Sequence, residues 1–377
     1  MIYLDNAATS LHRPDCVVQA VCQAMTHLGN CGRGASGANL TAGHVVAECR
    51  SKIDTLFHGY GAIQVAFTPN STTALNIAIS SLVRPGDHVI TTELEHNSVL
   101  RPLYRSGGEL TILPANKQGD ISLTDLAHAF QPNTRLVVCT HASNVTGNLV
   151  DIAAIGKLCK EKEVPFVVDA SQTAGVFPID MQTMGISVLC FTGHKGLRGP
   201  QGTGGLCVEP SIHLSPLVVG GSGVHSFDKE QPRQMPLSLE AGTVNSHGIA
   251  GLNAALDWLT QVGMAAIRKK EQVLALRFYQ GVRDLPGVTC YGNFSHTDRA
   301  PIVALNLGSW DSALVSDELA DRFDIHTRPG AHCAPRMHQA FGTEQQGMVR
   351  FSFDYFNTEQ EVDAAIHAIT TLCMEDA

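Results

Sequence analysis

Between about residues 60 and 210, short apolar runs alternate with stretches of helical periodicity. Segments 64–67, 88–92, 136–140, 165–169 and 186–191 are apolar or β-branched at nearly every position. Runs of that kind describe strands covered on both faces, as in a mainly parallel sheet with helical crossovers. Between them Asn70-Ser71-Thr72-Thr73 leads into an Ala-rich helix over 74–83, and 151–162 reads as a helix ending before Pro165. The pattern predicts an α/β fold, in which chemistry collects in the loops after strand ends.

After Gly205 the texture changes. Gly220-Gly221-Ser222-Gly223 and several prolines predict a long irregular excursion before a helix beginning near Gly248. From about 260 onward helices dominate, with strands at 300–306 and 348–353, which reads as a smaller α+β unit closing against the larger one. A large domain over 15–255 and a small one from 1–14 with 256–377 is the expected division, and 377 residues suit it. No internal repeat or low-complexity tract is present.

Charge and composition narrow the roles. The formal net charge is -9 with no run of Lys or Arg, so the attraction that dominates nucleic-acid affinity is missing and no nucleic-acid role is expected. Residues 1–6 read directly into a folded element, without a basic and apolar leader, and no apolar stretch is long enough for a bilayer. A cytoplasmic protein with no membrane role is the expectation. Eleven cysteines without a C-x-x-C pair indicate neither a zinc site nor a disulfide framework, so no metal is expected and most should be small buried apolar residues. Cys333 differs, lying in the turn-rich, basic segment Arg328-Pro329-Gly330-Ala331-His332-Cys333-Ala334-Pro335, a setting that favours a reactive thiolate over a structural thiol.

The candidate chemistry centres on Lys195, which closes Thr192-Gly193-His194-Lys195 after one apolar run, and Asp169, which ends another run twenty-six positions earlier. A lysine that holds an aldehyde as a Schiff base and a carboxylate that keeps a pyridine nitrogen protonated are the two groups pyridoxal phosphate needs. A surface lysine in a Gly-rich turn beside a capping aspartate is the plainer reading of either residue alone. Ser71 and Thr72, at a helix start, could hold a phosphate or serve only in N-capping. His96 follows the run at 88–92 and could stack on a planar ring or cap a helix. Asn144, in His141-Ala142-Ser143-Asn144-Val145-Thr146-Gly147, could donate to a ring oxygen or a substrate carboxylate, or simply form a turn.

Across nearly its whole length the chain resembles the class V aminotransferase-fold family and, within it, cysteine desulfurases and selenocysteine lyases. The resemblance is carried by Tyr3-Leu4-Asp5-Asn6-Ala7-Ala8-Thr9, Glu95-His96-Asn97, Ser143-Asn144, Val168-Asp169-Ala170-Ser171-Gln172, Thr192-Gly193-His194-Lys195, Glu240-Ala241-Gly242-Thr243, His332-Cys333-Ala334-Pro335 and Val349-Arg350-Phe351-Ser352. It implies the pyridoxal-phosphate fold type I, with a seven-stranded-type sheet in the large domain. By that resemblance Lys195 holds the cofactor aldehyde, Asp169 pairs with the ring nitrogen, Gln172 bonds the ring hydroxyl and His96 stacks on the ring. Ser71, Thr72, Thr192 and His194 would hold the phosphate, joined in a homodimer by Thr243 from the other subunit. Arg350 would grip the substrate carboxylate by a bidentate contact, aided by Asn144, with Arg328 and His332 also lining the substrate site.

Two departures bear on substrate preference: Gly32-Arg33-Gly34 lacks a histidine before the Arg-Gly pair, and Ala331-His332 replaces a pair of histidines before the cysteine. The expected reaction takes sulfur from L-cysteine as a persulfide on Cys333 and leaves L-alanine, as in the sulfur metabolism behind iron-sulfur cluster assembly. A sulfur-acceptor protein is one destination, although the short Gly-to-Pro segment around Cys333 suggests a constrained loop that restricts delivery to large acceptors. The alternatives are a selenocysteine lyase acting on L-selenocysteine, another class V aminotransferase or epimerase activity, and a non-catalytic binding protein.

Overall fold

The computed structural model describes residues 1–32, 34 and 36–375, so Arg33 of the Gly32-Arg33-Gly34 departure lies outside the described residues. Its strands are β1 (Ile2–Tyr3), β2 (Val65–Thr68), β3 (His88–Thr92), β4 (Glu109–Leu113), β5 (Thr134–Thr140), β6 (Phe166–Asp169), β7 (Val188–Thr192), β8 (Gly204–Val208), β9 (Val288–Tyr291), β10 (Ile302–Leu307), β11 (Ile325–His326) and β12 (Val349–Ser352). The helices are α1 (Asp15–His27), α2 (Gly37–Leu56), α3 (Ser71–Leu82), α4 (Asn97–Ser106), α5 (Leu123–Ala129), α6 (Ile152–Glu161), α7 (Ser246–Val262), α8 (Met264–Val282), α9 (Ser312–Phe323), α10 (Pro335–Phe341) and α11 (Glu359–Glu375).

Seven strands form the central sheet in the order β2-β8-β7-β6-β5-β3-β4. All neighbours pair in parallel except β8, which is antiparallel to both β2 and β7. The fully apolar runs behave as expected of strands covered on both faces: every residue of β2, β3, β6, β7 and β8 is buried. Register sets where chemistry can gather. Thr68 and Thr192 both pair with Gly204, and Asp169 pairs with Thr140 on one side and Cys190 on the other. The carboxyl ends of β2, β5, β6 and β7 therefore share one edge.

The irregular excursion expected from Gly205 begins later than the sequence suggested, because β8 continues through Val208. Gly204 and Gly205 hide that strand from a hydrophobic pattern. A Cβ at Gly205 would come within 2.8 Å of the Phe191 ring and closer still to the Ala66 carbonyl, so the strand threads between its neighbours only without side chains there.

A second, antiparallel sheet has the order β12-β10-β9, and β1 pairs in parallel with β11. Leu4, Phe278, Val303, Leu305, Phe351 and Ile369 belong to its own buried core, apart from the cores flanking the large sheet. The division expected at 255 falls inside the unbroken α7; Gly263, at φ 86°, is the first break beyond it. Among the described residues no helix is long and apolar enough to cross a membrane.

Candidate active site

Lys195 and Asp169 line one cavity of about 150 Å³ with Ala8, Ser71, Thr72, His96, Asn144, Gln172, Thr192 and His194. The expected pairing of lysine and carboxylate around a common space is present, and it follows from the shared strand edge. Asp169 is the last residue of β6, and Lys195 follows β7 by three residues. Gly193 allows that turn because a Cβ there would collide with the Thr203 side chain. The N-terminal segment clamps the same turn: Ser10 N donates to His194 O at 3.0 Å and Ser10 Oγ to Lys195 O at 3.1 Å.

Electrostatics tune the residues around this cavity. Burial lowers the Lys195 pKa from 10.5 to about 8; Asp169 opposes the shift and Arg350 adds to it. Asp169 accepts from Ser171 N at 2.9 Å and from the Ser171 hydroxyl. His96 is lowered to about 4, first by burial and then by the Lys195 charge. It caps α4 by accepting from Ser98 N at 3.0 Å through Nδ1, which leaves the proton of the neutral ring on Nε2. Burial and Lys195 likewise bring His194 down to about 4.

One wall has the character of a phosphate cradle. Asn70 caps α3 by accepting from Thr73 N at 2.9 Å, and Ser71 and Thr72 lie in the first turn, at the positive end of the helix. Neighbouring hydroxyls hold both side chains: Ser71 Oγ lies 2.7 Å from Ser171 Oγ, and Thr72 Oγ1 lies 2.7 Å from Ser98 Oγ. Thr192 Oγ1 is buried without a hydrogen-bond partner among the described residues. A phosphate oxygen would answer that orphaned hydroxyl, so the donor set fits the cofactor that the sequence suggests.

Three of the expected binding residues also bond within the chain. Arg350 is not a free fork: Nη1 donates to Asn144 O at 3.0 Å and Nη2 to Asp5 Oδ1 at 2.7 Å, while Nε is buried and has no hydrogen-bond partner among the described residues. Asn144 gives Nδ2 to His332 O at 2.8 Å, leaving its buried Oδ1 without a partner among the described residues. Gln172 Nε2 donates to Ala7 O at 3.1 Å. Arg328 stands beside this group with Nη1 3.9 Å from Asp5 Oδ2. Thr243 is exposed and lines a different cavity with Leu239 and Val244, so the same chain does not bring it to Lys195. Sequence reasoning passed over Asp5, Ser98, Thr140 and Ser171 as site residues; only Asp5 and Ser171 lay inside recognised segments.

Cys333 stands on a constrained turn. His332 and Cys333 have φ of 50° and 56°, the left-handed region that side chains seldom occupy. Hydrogen bonds hold both carbonyls, His332 O from Asn144 and Cys333 O from Asn97 N at 2.7 Å. Burial and the Arg350 charge keep His332 well below its ordinary pKa, and its Nε2 donates to Arg328 O at 2.9 Å. Cys49, Cys139, Cys159, Cys190, Cys207 and Cys373 are buried as expected, whereas Cys333 is exposed. It lines a cavity that shares Thr72, His96 and Ser98 with the Lys195 cavity.

The aminotransferase class-V family profile matches residues 2–365, and the chain belongs to that family of enzymes. Among curated relatives, the probable cysteine desulfurase of Methanothermobacter thermautotrophicus is 32% identical over 371 residues, covering 96% of this chain and 92% of that protein. The apo cysteine desulfurase structure from Thermococcus onnurineus NA1 superposes with a TM-score of 0.93 at 30% identity, covering 99% of this chain and 95% of that one. The Escherichia coli cysteine desulfurase CsdA, in an S-sulfonic acid form, gives 0.88 at 28% identity, over 99% and 94% respectively. The α/β fold with its mainly parallel sheet is that of these neighbours.

Proposed function

We propose that the protein is a pyridoxal-phosphate-dependent cysteine desulfurase that forms L-alanine from L-cysteine and collects the sulfur as a persulfide on Cys333. The observation that carries this reading is the adjacency of two cavities, one holding Lys195 and Asp169, the other exposing Cys333 across a wall of Thr72, His96 and Ser98.

When bound, pyridoxal phosphate supplies an electron sink for charge that develops at the substrate Cα. Ser71, Thr72, Thr192 and His194 would hold its phosphate, Asp169 its ring nitrogen, Lys195 its aldehyde, and neutral His96 would cover the ring. Lys195 Nζ then serves as the base that takes the Cα proton, a role suited to an amine whose pKa is lowered to about 8. Arg350, with Arg328 close by, receives the substrate carboxylate. Cys333 Sγ, as thiolate, attacks the substrate sulfur; a sulfur-sulfur bond forms, the Cβ–sulfur bond breaks with its electron pair left on the carbon side, and protonation yields alanine. A homodimer in which Thr243 of each chain completes the phosphate site of the other fits the exposure of Thr243 away from Lys195.

Holoenzyme incubated with L-cysteine should form alanine and gain one sulfur mass at Cys333, and Cys333→Ala should lose both. Alanine formed from cysteine by Cys333→Ala at the wild-type rate would refute the persulfide step. Turnover confined to L-selenocysteine would move the assignment to selenocysteine lyase.

A further inference from the structure

The cavity exposing Cys333 has about 370 Å³ and is lined by Thr72, Asn76, His96, Asn97, Ser98, Arg101, Pro102, Arg105 and Cys333. Among the described residues none that lines it is acidic, although the chain carries a net charge of -9. Arg101 and Arg105 are one turn apart on the same face of α4, and among the described residues neither is ion-paired with a carboxylate; Arg105 donates only to the neutral Asn76 Oδ1 at 3.3 Å. The N-terminus of α4 adds its positive end at Asn97. Two contacts fix the thiol-bearing loop to this helix: Asn97 N donates to Cys333 O at 2.7 Å, and Arg336 Nε reaches Tyr104 Oη at 3.5 Å. Arg101 is close enough for its charge to act against a proton on His96.

From this juxtaposition we infer that Arg101 and Arg105 form a binding site for a small anionic thiol, one bearing a carboxylate, which accepts the sulfur from Cys333. The inference rests on Cys333 carrying a persulfide, as proposed above. The acceptor's thiolate attacks the outer sulfur of Cys333–S–SH, a new sulfur-sulfur bond forms on the acceptor, and the bond to Cys333 breaks with its electron pair on Sγ. Cys333 returns as a thiolate and the acceptor leaves as a persulfide, with no external oxidant or reductant. Hydrogen bonds to the His332 and Cys333 carbonyls hold the backbone of this turn at the cavity, which favours an acceptor that enters over a loop that swings out.

Two measurements test this. In the first, cofactor-loaded protein is alkylated with iodoacetate or iodoacetamide and each cysteine is quantified by peptide mass. Cys333 should favour the anionic reagent roughly tenfold over its preference at the exposed Cys16 and Cys22, and high salt or Arg101→Gln/Arg105→Gln should remove the difference. In the second, Cys333 is loaded with sulfur from L-cysteine, and discharge is followed per loaded enzyme. The double variant should lose about tenfold toward 3-mercaptopropionate and less than twofold toward neutral 2-mercaptoethanol. Equal losses for both thiols, or an alkylation ratio unaffected by the variant and by salt, would overturn the anion site. Failure of L-cysteine to load Cys333 would instead defeat the desulfurase reading and the acceptor role, while the alkylation ratio alone would still decide whether an anion site exists.

Discussion

Asp5 Oδ1 lies 2.7 Å from Arg350 Nη2, so the arginine expected to receive a substrate carboxylate already faces one from its own chain. Burial lowers the proton affinity of Arg350 and Asp5 opposes that shift, which makes Asp5 both its support and a competitor for incoming anions. Asp5→Asn keeps an acceptor but removes the charge. KM for L-cysteine should fall by roughly fivefold, the equivalent of about 1 kcal/mol, while stability drops by about 3 kcal/mol because a buried guanidinium loses its counter-ion. Steady-state kinetics beside a denaturation curve read both; a higher KM would show that Asp5 orients Arg350 without competing for its charge.

The Lys195 amine, brought down from 10.5 to about 8 by burial, captures an aldehyde only when neutral. In cofactor-free enzyme the rate of pyridoxal phosphate capture should climb with pH and level off above about 8, where an ordinary lysine would still be rising. Asp169→Asn removes an anion that favours the charged amine, so its midpoint should move lower. Stopped-flow absorbance over a pH series gives both midpoints. A wild-type profile still climbing into the ordinary lysine range would mean that the amine is not desolvated in solution.

What the sequence revealed depended on whether a residue's role was written into a local pattern. Fully buried strands read directly as apolar runs, and Asp169 and Lys195 were recognisable because each follows such a run at the carboxyl edge of the sheet. β8 was illegible because its buried positions Gly204 and Gly205 have no side chains, and β4, at the sheet edge, has an exposed or half-buried residue at every position but Leu113. Ser98 and Ser171 are ordinary polar residues in sequence and become wall groups only through register and helix placement. The Asp5–Arg350 contact spans 345 positions, so no local pattern encodes it.

Glu95 is fully buried at the edge of β3, accepting from Thr92 Oγ1 at 2.6 Å and Thr140 N at 3.0 Å, and burial raises its pKa from 4.5 to about 8. Near neutral pH it is therefore protonated. Between about 4.5 and about 8 the native protein holds a proton that the unfolded chain has released, so this group makes stability fall as pH rises, by up to ~1.4 kcal/mol per pH unit. Glu95→Gln mimics the neutral acid and removes that dependence. Melting temperatures of the two proteins from pH 5 to 8 should diverge in favour of the glutamine variant as pH increases; parallel curves would mean that Glu95 is ionised in place.

Arg198, three residues beyond Lys195, is wholly buried at φ 59°; its N–H donates to Lys195 O at 2.8 Å, and its side chain donates through Nη1 to Asp354 and through Nη2 to Glu271. Trp258 and Phe356 lie 5.7 Å from the guanidinium carbon. This group joins the turn that carries the lysine to helix α8 and to the segment after β12, so Arg198→Met should do more than remove one contact. Glu271 is already pushed up to about 7 by burial, with Arg198 opposing, and loss of the cation must raise it further. The variant should lose about 3–5 kcal/mol near neutral pH, because two buried carboxyl groups are left facing each other without a counter-ion. As pH falls through the raised Glu271 pKa the native state takes up a proton that the unfolded chain still lacks, and part of the loss should return. Adding Glu271→Gln should restore much of the neutral-pH stability while leaving pyridoxal phosphate capture at Lys195 slow, since the turn is still untied. Equal melting temperatures for Arg198→Met and the wild type at all pH values would mean that the triad does not hold this turn.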